Sequence, residues 1–212
     1  MRLYFVRHGK TQWNLEGRFQ GANGDSPLLE QSIRDLTELG RYLSDIRFDK
    51  IYTSDLKRAK ETALIINKEN RFSTDIFPEK ALREWGLGRL EGHKISTVTS
   101  IYPKQMQAFR HNLAKFDNTF FGAESVYQAT QRVAKFVAGL DYQTDQNVLL
   151  VGHGACFTAA INYLLGLEPA QLRENGGLDN GSLTILDSPD GQHFELIRWN
   201  DTSYLDNQGE PS

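Results

Sequence analysis

Residues 147–151 read Asn-Val-Leu-Leu-Val, four apolar side chains in a row with no polar alternation. A strand with one wet face alternates apolar and polar residues. A strand that does not alternate is covered on both faces, which is the habit of a central parallel strand with helices on either side. This run therefore sets the frame for the rest of the chain. Further strands are predicted at residues 3–6, at Lys50–Thr53 and at 74–77, and late strands at 182–186 and 194–199 with the turn Ser-Pro-Asp-Gly between them. Between them lie helical spacings: Ile33, Leu36, Gly40 and Leu43; Ala59, Ala63 and Ile66; Val126, Ala129, Val133, Phe136 and Leu140; Phe157, Ile161, Leu164 and Leu165. Ser54 or Asp55 is expected to cap the second of these helices, which should run to about Asn67. Residues 13–31 read as a long loop. Strands alternating with helices predict an α/β sheet with helices on both faces.

Two of the strands end alike. Tyr4, Phe5 and Val6 run into Arg7, His8 and Gly9, and the 147–151 run ends in Gly152, His153 and Gly154. Ligands of such sheets bind at the carboxyl ends of the strands. Both histidines should therefore face one site. The net charge is only −3, from 24 Lys plus Arg against 27 Asp plus Glu. That gives no overall attraction to nucleic acid or to an anionic membrane, so an anionic ligand must be held by a local cluster of cations. Arg7 beside His8, and Arg58 in the first turn of the helix after a strand, supply one. An arginine fork matches phosphate oxygens, helix N-termini add N–H donors, and Gly9 and Gly154 let the backbone come close. A neutral imidazole can attack phosphorus in line and form a phosphohistidine. The departing oxygen then needs a proton, and Glu84 and Glu91 in Arg-Glu-Trp-Gly-Leu-Gly-Arg-Leu-Glu-Gly are the candidate donors.

The length of 212 residues suits one domain, 1–212, with a less regular segment at roughly 93–123 read as an inserted helical cap and a polar tail from about 201 read as loose. In the cap, Phe116, Phe120 and Phe121 are expected to pack inward. The single cysteine, Cys156, allows no internal disulfide and is expected to be a small buried residue. The first apolar run is too short for a signal peptide, and no stretch is long enough to span a bilayer. The expectation is a cytoplasmic protein with no membrane partner. His93, His111 and His193 lack the strand-end context and are read as surface or cap residues. No metal-ligand spacing is evident.

Several blocks in fixed order resemble the histidine phosphatase superfamily, also called the phosphoglycerate mutase-like family. These are Val-Arg-His-Gly-Lys-Thr-Gln-Trp-Asn at 6–14, Arg-Phe-Gln-Gly at 18–21, the stretch 52–63, the stretch 82–92, and Val-Gly-His-Gly-Ala at 151–155. The resemblance covers roughly residues 2–187 apart from 93–123. It implies a three-layer α/β/α sandwich whose mostly parallel sheet has one antiparallel strand near an edge. It implies His8 as the phosphate acceptor, Arg7, Arg58 and His153 as its phosphate pocket, and Glu84 as proton donor. Asn14, Gln20 and Gly21 fall in blocks that line the pocket, with Gly154 beside His153. Glu91 is assigned to structure. No metal or other cofactor is implied. Lys10 departs from the family's usual Glu, and Ser32 and Arg34 from its usual Gly and Gln.

The implied activity is hydrolysis of small phosphorylated metabolites. A phosphoglycerate mutase on the same core is the first alternative. Mutases of the family tend to carry a larger insertion that shields the phosphoenzyme, and here only about thirty residues are unmatched. A phosphate-binding relative without catalysis is the second alternative, against which the intact set His8, Arg58, Glu84 and His153 stands. The substrate and the oligomeric state are not legible in the sequence.

Overall fold

In the computed structural model, which describes residues 1–205, strand β1 (Arg2–Arg7) is followed by helices α1 (Gln12–Leu15) and α2 (Glu30–Tyr42). Strand β2 (Lys50–Thr53), helix α3 (Lys57–Glu69) and strand β3 (Ile76–Pro78) come next. Four helices then run in succession: α4 (Ile95–Ile101), α5 (Pro103–His111), α6 (Asn118–Phe121) and α7 (Val126–Ala138). The chain closes with β4 (Asn147–Gly152), α8 (Gly154–Leu164), β5 (Leu183–Asp187) and β6 (Glu195–Asp201). No described helix is long and apolar enough to cross a membrane.

The six strands form one sheet in the order β3-β2-β4-β1-β5-β6. The apolar run that frames the sequence is thus an inner strand, flanked by β2 and β1 and parallel to both. Only β5 runs against the others, antiparallel to β1 on one side and to β6 on the other.

The pleat explains the three layers. Leu3 and Phe5 of β1, with Val148 and Leu150 of β4, face α7 and α8 and pack on Val133, Val137, Phe157 and Ile161. Tyr4 and Val6, with Leu149 and Val151, face the other way onto Leu36 and Leu39 of α2 and Ala59, Ala63 and Ile66 of α3. A one-residue slip of either strand would turn both sets around, so the two cores fix the register together.

Residues 93–123 form α4, α5, α6 and their turns, as a helical cap would. Their core is aromatic: Phe109, Phe116 and Phe121 pack with Phe19 and Trp85 and reach Ala129 and Ala159 of the main body. Phe120 does not pack inward as expected; it is 46% exposed, because α6 is a single turn and presents one face only. Three further expectations are corrected. The stretch read as a loop at 13–31 overlaps α1, whose capping box is built by Thr11 and Asn14, and the first residues of α2. Helix α3 has Leu56 as N-cap with no side-chain cap, because Ser54 and Asp55 are engaged elsewhere. The tail is not loose as far as it is described: Tyr204 is buried and donates to the Gly181 carbonyl at 3.0 Å. The remainder of that tail lies outside the described residues.

Candidate active site

Register alone brings the two histidines together. Arg7 of β1 pairs with Gly152 of β4, and Thr53 of β2 pairs with Val151. The next residues on the three strands, His8, His153 and Ser54, therefore emerge side by side at the carboxyl edge. The rings of His8 and His153 are 5.1 Å apart between centroids.

His8 is held in one tautomer. Its Nδ1 lies 2.7 Å from the Gly9 carbonyl oxygen, which can only accept, so Nδ1 carries the proton. Its Nε2 is then an acceptor, and Arg58 Nε donates to it at 3.2 Å. Burial, with Arg58 and Arg7 close by, holds this imidazole well below its ordinary value of 6.5. His153 is depressed in the same way, by burial first and then by Arg58 and His8. Its Nε2 is 2.7 Å from Ser54 Oγ, which is why Ser54 is not a helix cap.

Arg58 is fully buried, and its fork is spent on the loop that follows Gln20. Nη1 donates to the Gly24 carbonyl at 2.7 Å and meets Asp25 Oδ1 at 3.2 Å; Nη2 donates to the Gly21 carbonyl at 3.1 Å. Gly21 thus acts through Arg58, set back from the cleft wall. A Cβ there would lie 2.5 Å from Glu91 Oε1, so the position has no room for a side chain. Glu91 accepts from the Asn23 and Leu87 amides, the structural part assigned to it. Arg7 donates through Nη1 to the Leu178 carbonyl, while its buried Nε has no partner. A Cβ on Gly154 would lie 2.8 Å from that Nε, so a larger residue there would displace the Arg7 side chain.

Glu84 reaches the first turn of α8. Its carboxylate accepts from the amides of Cys156 at 2.8 Å, Ala155 at 3.0 Å and Trp85 at 2.8 Å. The first two are N–H groups that helix α8 leaves unpaired at its start. The segment that carries Glu84 is itself pinned from two sides. Arg132 donates to the Glu84 carbonyl at 3.1 Å and pairs with Glu124, which accepts from the Gly86 amide. Arg83 pairs with Asp55 through two contacts of 2.6 and 2.7 Å, which is where the second expected cap residue is used.

A cleft of about 470 Å³ opens above these groups, lined by Arg7, His8, Asn14, Gln20, Glu84 and Gly154 among others. Asn14 Oδ1 accepts from the Thr11 amide and from Asn180 Nδ2. Gln20 is tied at both ends, to Thr11 Oγ1 at 2.7 Å and Ser26 Oγ at 3.1 Å. The cap contributes Ile95, Phe109, Arg110 and His111 to the opposite wall. His111 and Phe109 thus face the cleft, whereas Phe116, Phe120 and Phe121 do not line it. Arg173, which lines the cleft, and Asn180, which donates to the His8 carbonyl and to Asn14, come from the loop after α8, where no apolar period marks them.

Against known proteins, the sequence model of the histidine phosphatase superfamily (branch 1) matches residues 3–202. The chain belongs to this superfamily. A relative from Salmonella paratyphi A named "Probable phosphoglycerate mutase GpmB" is 32% identical over 195 residues, 91% of this chain and 87% of that one. Among solved structures, Bacillus stearothermophilus YhfR superposes with a TM-score of 0.86 at 29% identity, covering 96% of this chain and 98% of its own. A mycobacterial glucosyl-3-phosphoglycerate phosphatase solved with VO3 gives 0.83 at 28% identity, covering 94% and 98%. The superfamily fold, including the reversed strand, is therefore present. Among the described residues no group of three or more His, Cys, Asp or Glu side chains is placed to hold a metal ion.

The two depressed imidazoles have a consequence for acid stability. The unfolded chain takes up protons near 6.5, while the folded histidines resist them. Stability is then complete above that value and is lost as pH falls below it, because the unfolded state binds more protons. Replacing His153 with glutamine removes one of these groups. The variant should lose less stability between neutral pH and pH 5 than the parent, as read by denaturant midpoints. An equal or greater loss would contradict the assignment.

Proposed function

We propose that the chain is a metal-independent phosphomonoesterase that works through a phosphohistidine on His8. The observation that carries this reading is the His8 ring: neutral, with Nδ1–H fixed on the Gly9 carbonyl, so that the Nε2 lone pair is the reactive one. In the first step Nε2 bonds to phosphorus and the bond from phosphorus to the alcohol oxygen breaks. Arg58 Nε–H, which now faces that lone pair, turns to a phosphoryl oxygen. Arg7 Nε and His153 Nδ1 are buried and without partners, so they are free to bind the other oxygens. Glu84, on the same cleft, takes up a proton brought by the monoanionic ester and passes it to the departing oxygen. In the second step Glu84 takes a proton from water, the water oxygen bonds to phosphorus, and the phosphorus–nitrogen bond breaks to release phosphate.

Fixed positive charge aimed at the developing charge is the main source of acceleration in such a site. Arg7 and Arg58 supply it from this chain, and neutral His153 adds an N–H donor. The glucosyl-3-phosphoglycerate phosphatase, whose fold is similar, lends support to hydrolysis. Transfer within a phosphoglycerate is the second reading, favoured by the name of the GpmB relative. A panel of phosphomonoesters and 3-phosphoglycerate, assayed with and without chelator, separates them. Release of inorganic phosphate at a rate that chelator does not change is expected. Isomerisation of the phosphoglycerate faster than phosphate release would favour the mutase. A loss on chelation restored by added metal would contradict the metal-independent reading.

A further inference from the structure

Arg173 stands apart from the other cations of the cleft. It follows the buried Leu172 in the loop after α8, and that loop is fastened to the helix. Asn162 Nδ2 donates to the Leu172 carbonyl at 3.2 Å, and Asn175 Nδ2 donates to Asn162 Oδ1 at 2.8 Å. The guanidinium lies over the Phe109 ring, 5.3 Å from its centroid, so helix α5 fixes its other side. The side chain lines the same cleft as His8 and Glu84. Yet its Nε and Nη2 are out of solvent and have no hydrogen-bond partner.

Burying a guanidinium is costly, and leaving its donors unpaired adds to the cost; the charge of Glu84 offsets part of it without a hydrogen bond. Burial brings its pKa down to about 10, so it is still charged at neutral pH. The two idle donors are also the informative pair. Nε–H and one Nη2–H lie on the same edge of the guanidinium, the spacing that meets two oxygens of one carboxylate or phosphate. By contrast Arg18, on the same wall, is spent on Glu16 and on the Gly92 carbonyl.

We propose that Arg173 is a specificity-determining residue that receives a second anionic group, carried on the alcohol side of the phosphomonoester. The proposal rests on the phosphomonoesterase reading for which end of the ligand reaches His8. It adds that the preferred substrates carry two anionic groups, one at His8 and one at Arg173. Phe109 would cover the carbon skeleton between them.

The test is calorimetric binding in a His8→Ala background, where no ligand is consumed. Four ligands form two matched pairs: the phosphate ester of a short hydroxy acid and the same ester with its carboxyl capped as the amide; and the bisphosphate and monophosphate of one short diol. The two-anion member of at least one pair should bind about 10- to 100-fold more tightly. Adding Arg173→Gln should reduce that ratio to within a few-fold, and Arg173→Lys should keep part of it, which a merely structural role would not. The exposed cap residue Lys104, replaced by Gln, should leave the ratio intact. A preference confined to the first pair makes the group a carboxylate, and one confined to the second makes it a phosphate. A ratio that survives Arg173→Gln, or no preference in either pair, overturns the proposal. Because no turnover is involved, an unmodified chain that fails to hydrolyse any ester would sink the hydrolase reading while the ratios still decide the role of Arg173.

Discussion

Replacing His8 with alanine is expected to lower turnover by on the order of 10⁵-fold or more, while inorganic phosphate still binds. His8 lines the cleft with a ring nitrogen placed to attack. His8 Nε2 is an acceptor because Nδ1–H is committed to Gly9, and the ring is neutral in its buried place. His153 cannot stand in for it. Its Nε2 is engaged with Ser54, and its Nδ1–H is the donor proposed for a phosphoryl oxygen, so neither ring nitrogen offers a lone pair. The partners proposed for the phosphoryl oxygens, Arg7, Arg58 and His153, all remain in the variant. Steady-state phosphate release checks the rate, and calorimetry with phosphate checks that the pocket survives. A variant retaining a tenth of the parent rate would move the nucleophile elsewhere.

Glu84→Gln should separate substrates by their leaving group. Alkyl phosphates release a poor leaving group and need a proton in the transition state, whereas activated aryl phosphates leave as stable phenolates. The expected loss is roughly 10²-fold or more with alkyl phosphates and a few-fold with aryl phosphates. Glutamine keeps the size but only one acceptor oxygen; Ala155 donates to Oε2 and Cys156 to Oε1, so one of these amides loses its partner in the variant. That loss falls on both substrate types alike, so the difference between them reads the proton. The second step also needs a base, so the variant should accumulate phosphoenzyme on an aryl substrate. Equal losses on both substrate types would reduce Glu84 to a helix-capping part, since its carboxylate already has that geometry at the start of α8. Glu91 would not take over easily, because Asn23 and Leu87 already occupy it.

The sequence was most legible where burial and chemistry meet abruptly. The unbroken apolar run of β4 announces a strand covered on both faces, and a histidine directly after such a run has no reason to be there except the strand-end site. The strand register does the rest, since His8 and His153 lie on adjacent parallel strands. Helices α2, α3, α7 and α8 were legible because each buries a stripe on the sheet. Helix α1 was not, because four residues with no buried side chain leave no period to read. Ser54 and Asp55 look like caps by composition. Tertiary partners, His153 and Arg83, take their side chains instead.

Asn14 and Gln20 illustrate a further limit. Their blocks mark them, and both line the cleft, yet their side chains are tied to Thr11, Ser26 and Asn180 within the wall. Spacing reports that a polar side chain is placed, and it does not say on which side of the wall its amide is spent. Arg173 and Asn180 were invisible for a related reason. The loop between α8 and β5 has neither a strand nor a helix period, and only the return of the chain over α8 carries it to the cleft. Ser32, which departs from the family pattern, also has a local explanation: its Oγ accepts from the Lys10 amide at 2.6 Å, behind the turn that presents His8.

The central claim is that phosphorus becomes bonded to His8, and the direct measurement is rapid acid-free quenching of the chain with an aryl phosphate, followed by peptide mass spectrometry. The account predicts one phosphate, stable in base and lost in acid, on the peptide that contains His8, in the parent and at higher occupancy in Glu84→Gln. A phosphate found on any other residue, or turnover with none found on His8 in either protein, would contradict it.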